Sequence, residues 1–147
     1  MNPKTRELLL LHDEERRWEF PSRFNAIDIE QRAWKVHAEL CERFGDLGFD
    51  DWIQDASFHV AIVFKPYEAT TSTARRQPEV RFSNFGNLAT LTFEDLLPEN
   101  ARHAIVESLS KHDFVFVDAD ELDEPYDGVM STEGSTITWW TRYFDFL

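Results

Sequence analysis

Ile29, Ala33, Val36, Leu40 and Phe44 recur at three- and four-residue intervals, and Trp34, His37 and Cys41 widen the same stripe. That spacing predicts an amphipathic helix over residues 28–44. Asn25 or Asp28 can cap its first turn, and Gly45 stands where it should stop. Upstream, Leu8, Leu11, Glu15 and Trp18 keep the spacing and predict a shorter helix over residues 4–20, interrupted at Pro21 and Ser22. The period drops to two after Trp52. Phe58, Val60, Ile62 and Phe64 alternate with Ser57, His59, Ala61 and Val63, the pattern of a largely buried strand that Pro66 closes.

The polar stretch 68–78 carries Thr70, Thr71, Ser72 and Thr73 in a row and reads as a long hairpin connection. Strands are predicted over 79–84 and 88–93, with a turn at 84–87 between them. Pro98 suits the first position of a third helix over 99–111, whose buried side is Ala101, Ile105 and Leu109 with Ala104 and Val106 beside them. The short apolar run 114–117 reads as a strand. Residues 135–146 alternate again and predict a last strand, with helix as the alternative for its final turn. This order of elements predicts one α+β domain over residues 1–147. Its sheet is mainly antiparallel with about four to five strands, and two or three helices pack chiefly on one face.

Composition narrows the function classes. A chain of 147 residues with 13 Phe and 5 Trp can bury a substantial core. Against 15 Lys and Arg stand 28 Asp and Glu, a formal net charge of −13. Such a balance disfavours nucleic-acid phosphates and anionic membrane surfaces, and leaves a basic protein, a cation or a neutral ligand as partners. The single cysteine, Cys41, excludes an intramolecular disulfide and a cysteine-rich zinc site; its place in the helical stripe reads as a small buried hydrophobe. The apolar run Leu8 to Leu11 is too short for a signal segment, so the expected location is cytoplasmic.

Charge is distributed unevenly. No Lys or Arg stands between Lys111 and Arg142, while seven carboxylates crowd the stretch from Asp113 to Asp127. Ile137, Trp139, Trp140, Tyr143, Phe144 and Phe146 follow. A solvated loop beside core aromatics gives this pattern, and so does a docking surface for a basic protein, in which aromatics anchor what charge attracts. The residues expected to bind are Asp120, Glu121, Asp123, Glu124, Tyr126 and Asp127, with Trp139 and Trp140 beside them. In a strand Trp139 and Trp140 would point to opposite faces, so one of them would lie outside the main core. A small acidic domain of this kind would suit a neutralising, immunity-like protein for a basic toxin or nuclease.

Metal and cofactor chemistry is not expected. Counting a calcium loop from Asp118 puts Leu122 fifth and Asp123 sixth, where an oxygen ligand and a glycine are needed. The alternative is a small-ligand-binding protein or hydrolytic enzyme with a pocket between sheet and helices. His59, inside the apolar strand, and the helical stripe Glu99, His103 and Glu107 are then the polar residues of interest. Neither Ser57 nor Ser83 lies in a Gly-x-Ser-x-Gly turn, and no phosphate-binding glycine loop is present. Homodimerisation is a third reading. The last strand would serve as a sheet edge, or Arg75, Arg76 and Arg81 would meet the acidic stretch of a second copy.

Overall fold

The computed structural model describes residues 1–15, 17, 21–22, 24–54, 57–64, 77–130, 134 and 136–144, and for 52–54 and 57–59 the backbone alone. Helix α1 (Pro3–Leu11) starts where the Asn2 side chain accepts from the Lys4 N–H, with Pro3 as its first residue. Helix α2 (Ala26–Phe44) starts in the same way, from the Asn25 side chain to the Asp28 N–H. It buries Ile29, Ala33, Val36 and Leu40, and Gly45 ends it with φ near +85°.

Strands β1 (Gly48–Gln54), β2 (Ser57–Val63), β3 (Glu79–Phe82) and β4 (Leu88–Thr92) form an antiparallel meander. A short 3-10 turn (Glu94–Leu96) leads to helix α3 (Ala101–Lys111), which carries the chain back to β5 (Val115–Phe116), parallel to β4. The one-turn helix α4 (Ala119–Leu122) and helix α5 (Trp139–Tyr143) complete a single α+β domain. Its five strands lie in the order β1-β2-β3-β4-β5. The parallel pair follows from the helical crossover, since a tight hairpin can join only antiparallel strands.

Two cores lie on opposite faces of the sheet. Val60, Ile62, Val80, Phe82, Ala89 and Leu91 meet the buried sides of α2 and α3, the two longest helices. On the other face, Leu88 and Val117 meet Leu9 of α1, Leu122 of α4, and Trp139, Tyr143 and Phe144 at the C-terminal end. The second core is aromatic and small, so α1, α4 and α5 are held as much by polar links as by area. The Tyr143 hydroxyl donates to the Leu9 carbonyl at 2.6 Å, and a buried Asp13–Arg142 ion pair ties the segment after α1 to α5 at 2.9 Å. Among the described residues no helix is long and apolar enough to cross a membrane.

Several expected elements shift. The 4–20 helix stops at Leu11, and Asp13 turns inward; residues 18–20 lie outside the described residues, as does the connection as far as 76. The third helix opens at Ala101 rather than 99, because Pro98 sits in the preceding turn and accepts from the Ala101 N–H at 2.9 Å. The strand expected over 135–146 is a correction: residues 139–143 are α5. Thr138 caps it by accepting from the Thr141 N–H, and Trp139 and Tyr143, four apart, are both buried. Burial of Arg142, Tyr143 and Phe144 in succession breaks the two-residue alternation a strand would need. Among the described residues the last segment therefore offers no sheet edge for a second copy; the long terminal strand of the sheet is β1.

Candidate partner-binding cleft

The acidic stretch after β5 is organised by one small helix. Asp118 caps α4, its side chain accepting from the Asp120 N–H, and Leu122 anchors the turn with no exposed surface. A helical turn sends successive residues about 100° apart, so the carboxylates of this segment leave in different directions.

One set is taken up within the fold by the N-terminal region. Glu121 accepts from the Asn2 N–H at 2.7 Å and from the Thr5 hydroxyl at 2.8 Å. Glu124 pairs with the Met1 ammonium at 3.3 Å, and Asp127 with Arg6. Tyr126 is turned inward as well. Its hydroxyl donates to Asp13 at 2.7 Å and accepts from the Met130 N–H at 2.8 Å. Burial, with the Asp13 carboxylate beside it, pushes that hydroxyl up to about 12. Trp139 is fully buried against Tyr126 and Tyr143, so it presents nothing to a partner.

The other set faces a cleft. Asp118, Asp120 and Asp123 form one wall of an open depression of about 600 Å³. Its floor is β3 and β4 through Glu79, Arg81 and Thr92, and its far wall is Phe93 to Asp95, with Trp140 at one end. Arg102 bridges Glu94 at 2.7 Å and Asp118 at 3.2 Å, one positive charge shared between two carboxylates. Among the described residues Asp95, Asp120 and Asp123 have no cationic partner. Arg81 is held by a bond to the Phe144 carbonyl at 2.9 Å and lies 5.1 Å over the Trp140 ring. Burial pushes the Glu79 carboxyl above its ordinary value; Arg81 opposes that rise and Asp50 adds to it.

Phe93 completes the rim. Its φ of +51° lies in the left-handed region, costly for a bulky side chain, yet its ring is 45% exposed. Of the residues expected to bind, Asp120, Asp123 and Trp140 meet in the cleft, while Glu121, Glu124, Tyr126, Asp127 and Trp139 face α1 or the core. Glu79, Phe93 and Asp95 were not foreseen. Topology brings them together from strands and turns far apart in sequence, and the one local signal was an aromatic followed by Glu94 and Asp95.

Among the described side chains, the residues considered for an enzyme do not gather at a cavity. His103 and Glu107 are almost fully exposed and 3.8 Å apart, and Glu99 lies outside α3. His59 belongs to β2, but its side chain is outside the described residues. The groove of about 170 Å³ between α2 and α3 holds a Glu39 carboxylate that accepts from Ser108 at 2.9 Å and from His112 at 2.7 Å. A nucleophilic triad needs the histidine between hydroxyl and acid; here the acid is in the middle, bonded to both, and the His112 ring makes its bond to Glu39 rather than to the Ser108 hydroxyl. His37 Nε2 donates to the Leu47 carbonyl at 2.8 Å, so the lone pair open to the Cys41 thiol is on Nδ1, at a longer 3.8 Å. Among the described residues no group of His, Cys, Asp and Glu is arranged to hold a metal ion. No family model matches this chain, and neither does any curated protein or solved structure.

Proposed function

We propose that this chain is a non-enzymatic binding module that takes a basic segment of a protein partner into the cleft between α4 and the 93–95 turn. The observation that carries this reading is a concavity in which, among the described residues, Asp95, Asp120 and Asp123 have no ion-pair partner and Phe93 offers exposed aromatic surface, with Trp140, its ring beneath Arg81, close by. Like charges held together cost free energy that a bound lysine or arginine returns, and aromatic rings at the rim accept both the stem and the charge of such a side chain. An immunity- or inhibitor-like role fits this chemistry, because charge speeds capture of a basic target and a few desolvated anchors slow its release.

The test is charge reversal in the cleft. Asp95→Lys, Asp120→Lys and Asp123→Lys together should weaken binding of an arginine- and lysine-rich peptide, read by fluorescence anisotropy, by roughly tenfold or more. Reversal of the exposed Glu42, Glu99 and Glu107 changes net charge equally without touching the cleft, and should weaken binding far less. Equal loss in both variants would reduce the effect to overall charge and remove the cleft from the argument. Acidification should weaken binding from the upper side of the carboxylate range, since Glu79 is already raised and becomes neutral before an ordinary glutamate does.

A further inference from the structure

The sheet ends at β1, and among the described residues nothing pairs with its outer edge. Seven residues is long for a bare edge. The segment carries no proline and no lysine, and its register against β2 runs unbroken from Gly48↔Val63 to Gln54↔Ser57, so no bulge bends it away. Among the described residues the devices that usually stop an edge from recruiting another strand are absent except for one: Asp50 and Asp51.

Acids guard an edge selectively. Two copies pairing β1 to β1 antiparallel would set Asp50 and Asp51 against their own counterparts, on chains that each carry −13. A basic strand meets the opposite situation. The flank of the edge is also built for contact. Phe49 and Asp51 lie on the α2 side of the sheet, as their register opposite Ile62 and Val60 requires. There Trp34 stacks on Phe49 at 3.7 Å, 46% exposed, and Ile27, one further turn-pair back on the same helical stripe, is 70% exposed. Between them Glu30 is raised above its ordinary value, by a hydrogen bond to Asp51, by burial and by the Asp51 charge. The two carboxyl groups lie close together, and among the described residues no lysine or arginine bridges them.

We infer that the outer edge of β1 accepts an extended, lysine- or arginine-bearing segment of a partner protein as an added strand, whose side chains on the α2 side meet the Trp34–Phe49 stack and the Asp51 and Glu30 carboxyl groups, while the alternate ones lie along the opposite face, the face of Asp50. Backbone pairing supplies the affinity of such a contact, and the acids and the aromatic lip select the sequence that is added. This surface is distinct from the cleft and does not depend on the cleft's function.

The experiment uses the full chain carrying Asp95→Lys, Asp120→Lys and Asp123→Lys, so that the cleft is silenced. The probe is an end-blocked seven-residue peptide alternating lysine and valine, followed by anisotropy and by hydrogen exchange. Binding that slows exchange of the 48–54 amides is expected. The same peptide with alternate backbone nitrogens methylated keeps its charge but loses strand donors, and should bind roughly tenfold more weakly or worse. Adding Asp50→Lys and Asp51→Lys should produce a similar loss. Equal binding of the methylated peptide would overturn the inference, as would protection confined to other segments or equal binding of a glutamate–valine peptide. Concentration-dependent dimers protected at 48–54 would overturn the choice of occupant in favour of a second copy. The methylated peptide is tested on the same chain as its parent, so misfolding of the Asp50 and Asp51 variant cannot hide the answer.

Discussion

The Asp13 carboxylate gathers three donors: Arg142 Nε at 2.9 Å, the Tyr126 hydroxyl at 2.7 Å and the Val129 N–H at 2.8 Å. Neither side chain of the ion pair has exposed surface. Gly128 is glycine because a Cβ there would fall 1.9 Å from the same carboxylate. The Arg142 guanidinium lies 4.5 Å over the Phe85 ring and donates to the Glu14 carbonyl at 3.3 Å. A buried pair of this kind gains little over an apolar pair, but breaking it strands a charge. Asp13→Leu should therefore cost about 3–5 kcal/mol in urea unfolding. Asp13→Leu combined with Arg142→Met should recover part of that loss. Recovery stays incomplete because Tyr126 and Val129 still lack an acceptor, an unmet demand worth about 1–3 kcal/mol per buried group. A single variant as stable as the parent would show that the pair is not the link between the segment after α1 and α5.

At the scale of elements, Glu39 of α2 clasps α3 and the residue after it through Ser108, Lys111 and His112. Burial alone would raise this carboxyl, but the bonds from His112, Ser108 and Lys111 outweigh it and hold it at about 2 against an ordinary 4.5. A depressed folded value means stability that is present above the unfolded value and lost as pH falls from about 4.5 through about 2. Glu39 is 31% exposed, so solvent screening limits the effect of Glu39→Gln to about 1 kcal/mol at neutral pH. The gap between parent and variant should close below pH 2 in thermal unfolding; a gap that persists there would assign the loss to packing. The α2–α3 layer was legible in the sequence because both helices show unbroken apolar stripes. The last element was not, since Ile137, Trp139 and Tyr143 fit a period of two as well as four, and the cap at Thr138 decides between them. β1 was missed because Asp50 and Asp51 interrupt its alternation, and pairing with β2 overrides that local signal. The acidic stretch was legible as a charged surface, but which of its carboxylates line the cleft and which turn to α1 depends on where α1 docks, a long-range contact that spacing does not encode.

For the whole molecule, a formal charge of −13 and an acidic cleft make salt act in opposite directions on folding and on binding. Folding brings 28 carboxylates into a compact body with 15 basic side chains, so the folded state repels itself more than the expanded chain does. The paired acids are short-range and least affected by ions, whereas the long-range repulsion is what salt removes; the Debye length falls from about 30 Å at 0.01 M to about 8 Å at 0.15 M. Raising salt from about 10 to about 150 mM should therefore raise the melting temperature by a few degrees, the response to roughly 1 kcal/mol in a domain of this size. A basic peptide in the cleft should respond the other way, because its attraction to Asp95, Asp120 and Asp123 is weakened by the same ions. Differential scanning and anisotropy in the same buffers test the two together. If binding were indifferent to salt while stability rose, aromatic contact with Trp140 and Phe93 would carry the affinity and the partner need not be basic. If both fell, the acids would be offset by cations bound within the folded chain, and the cleft would not be the vacant anionic surface on which capture depends.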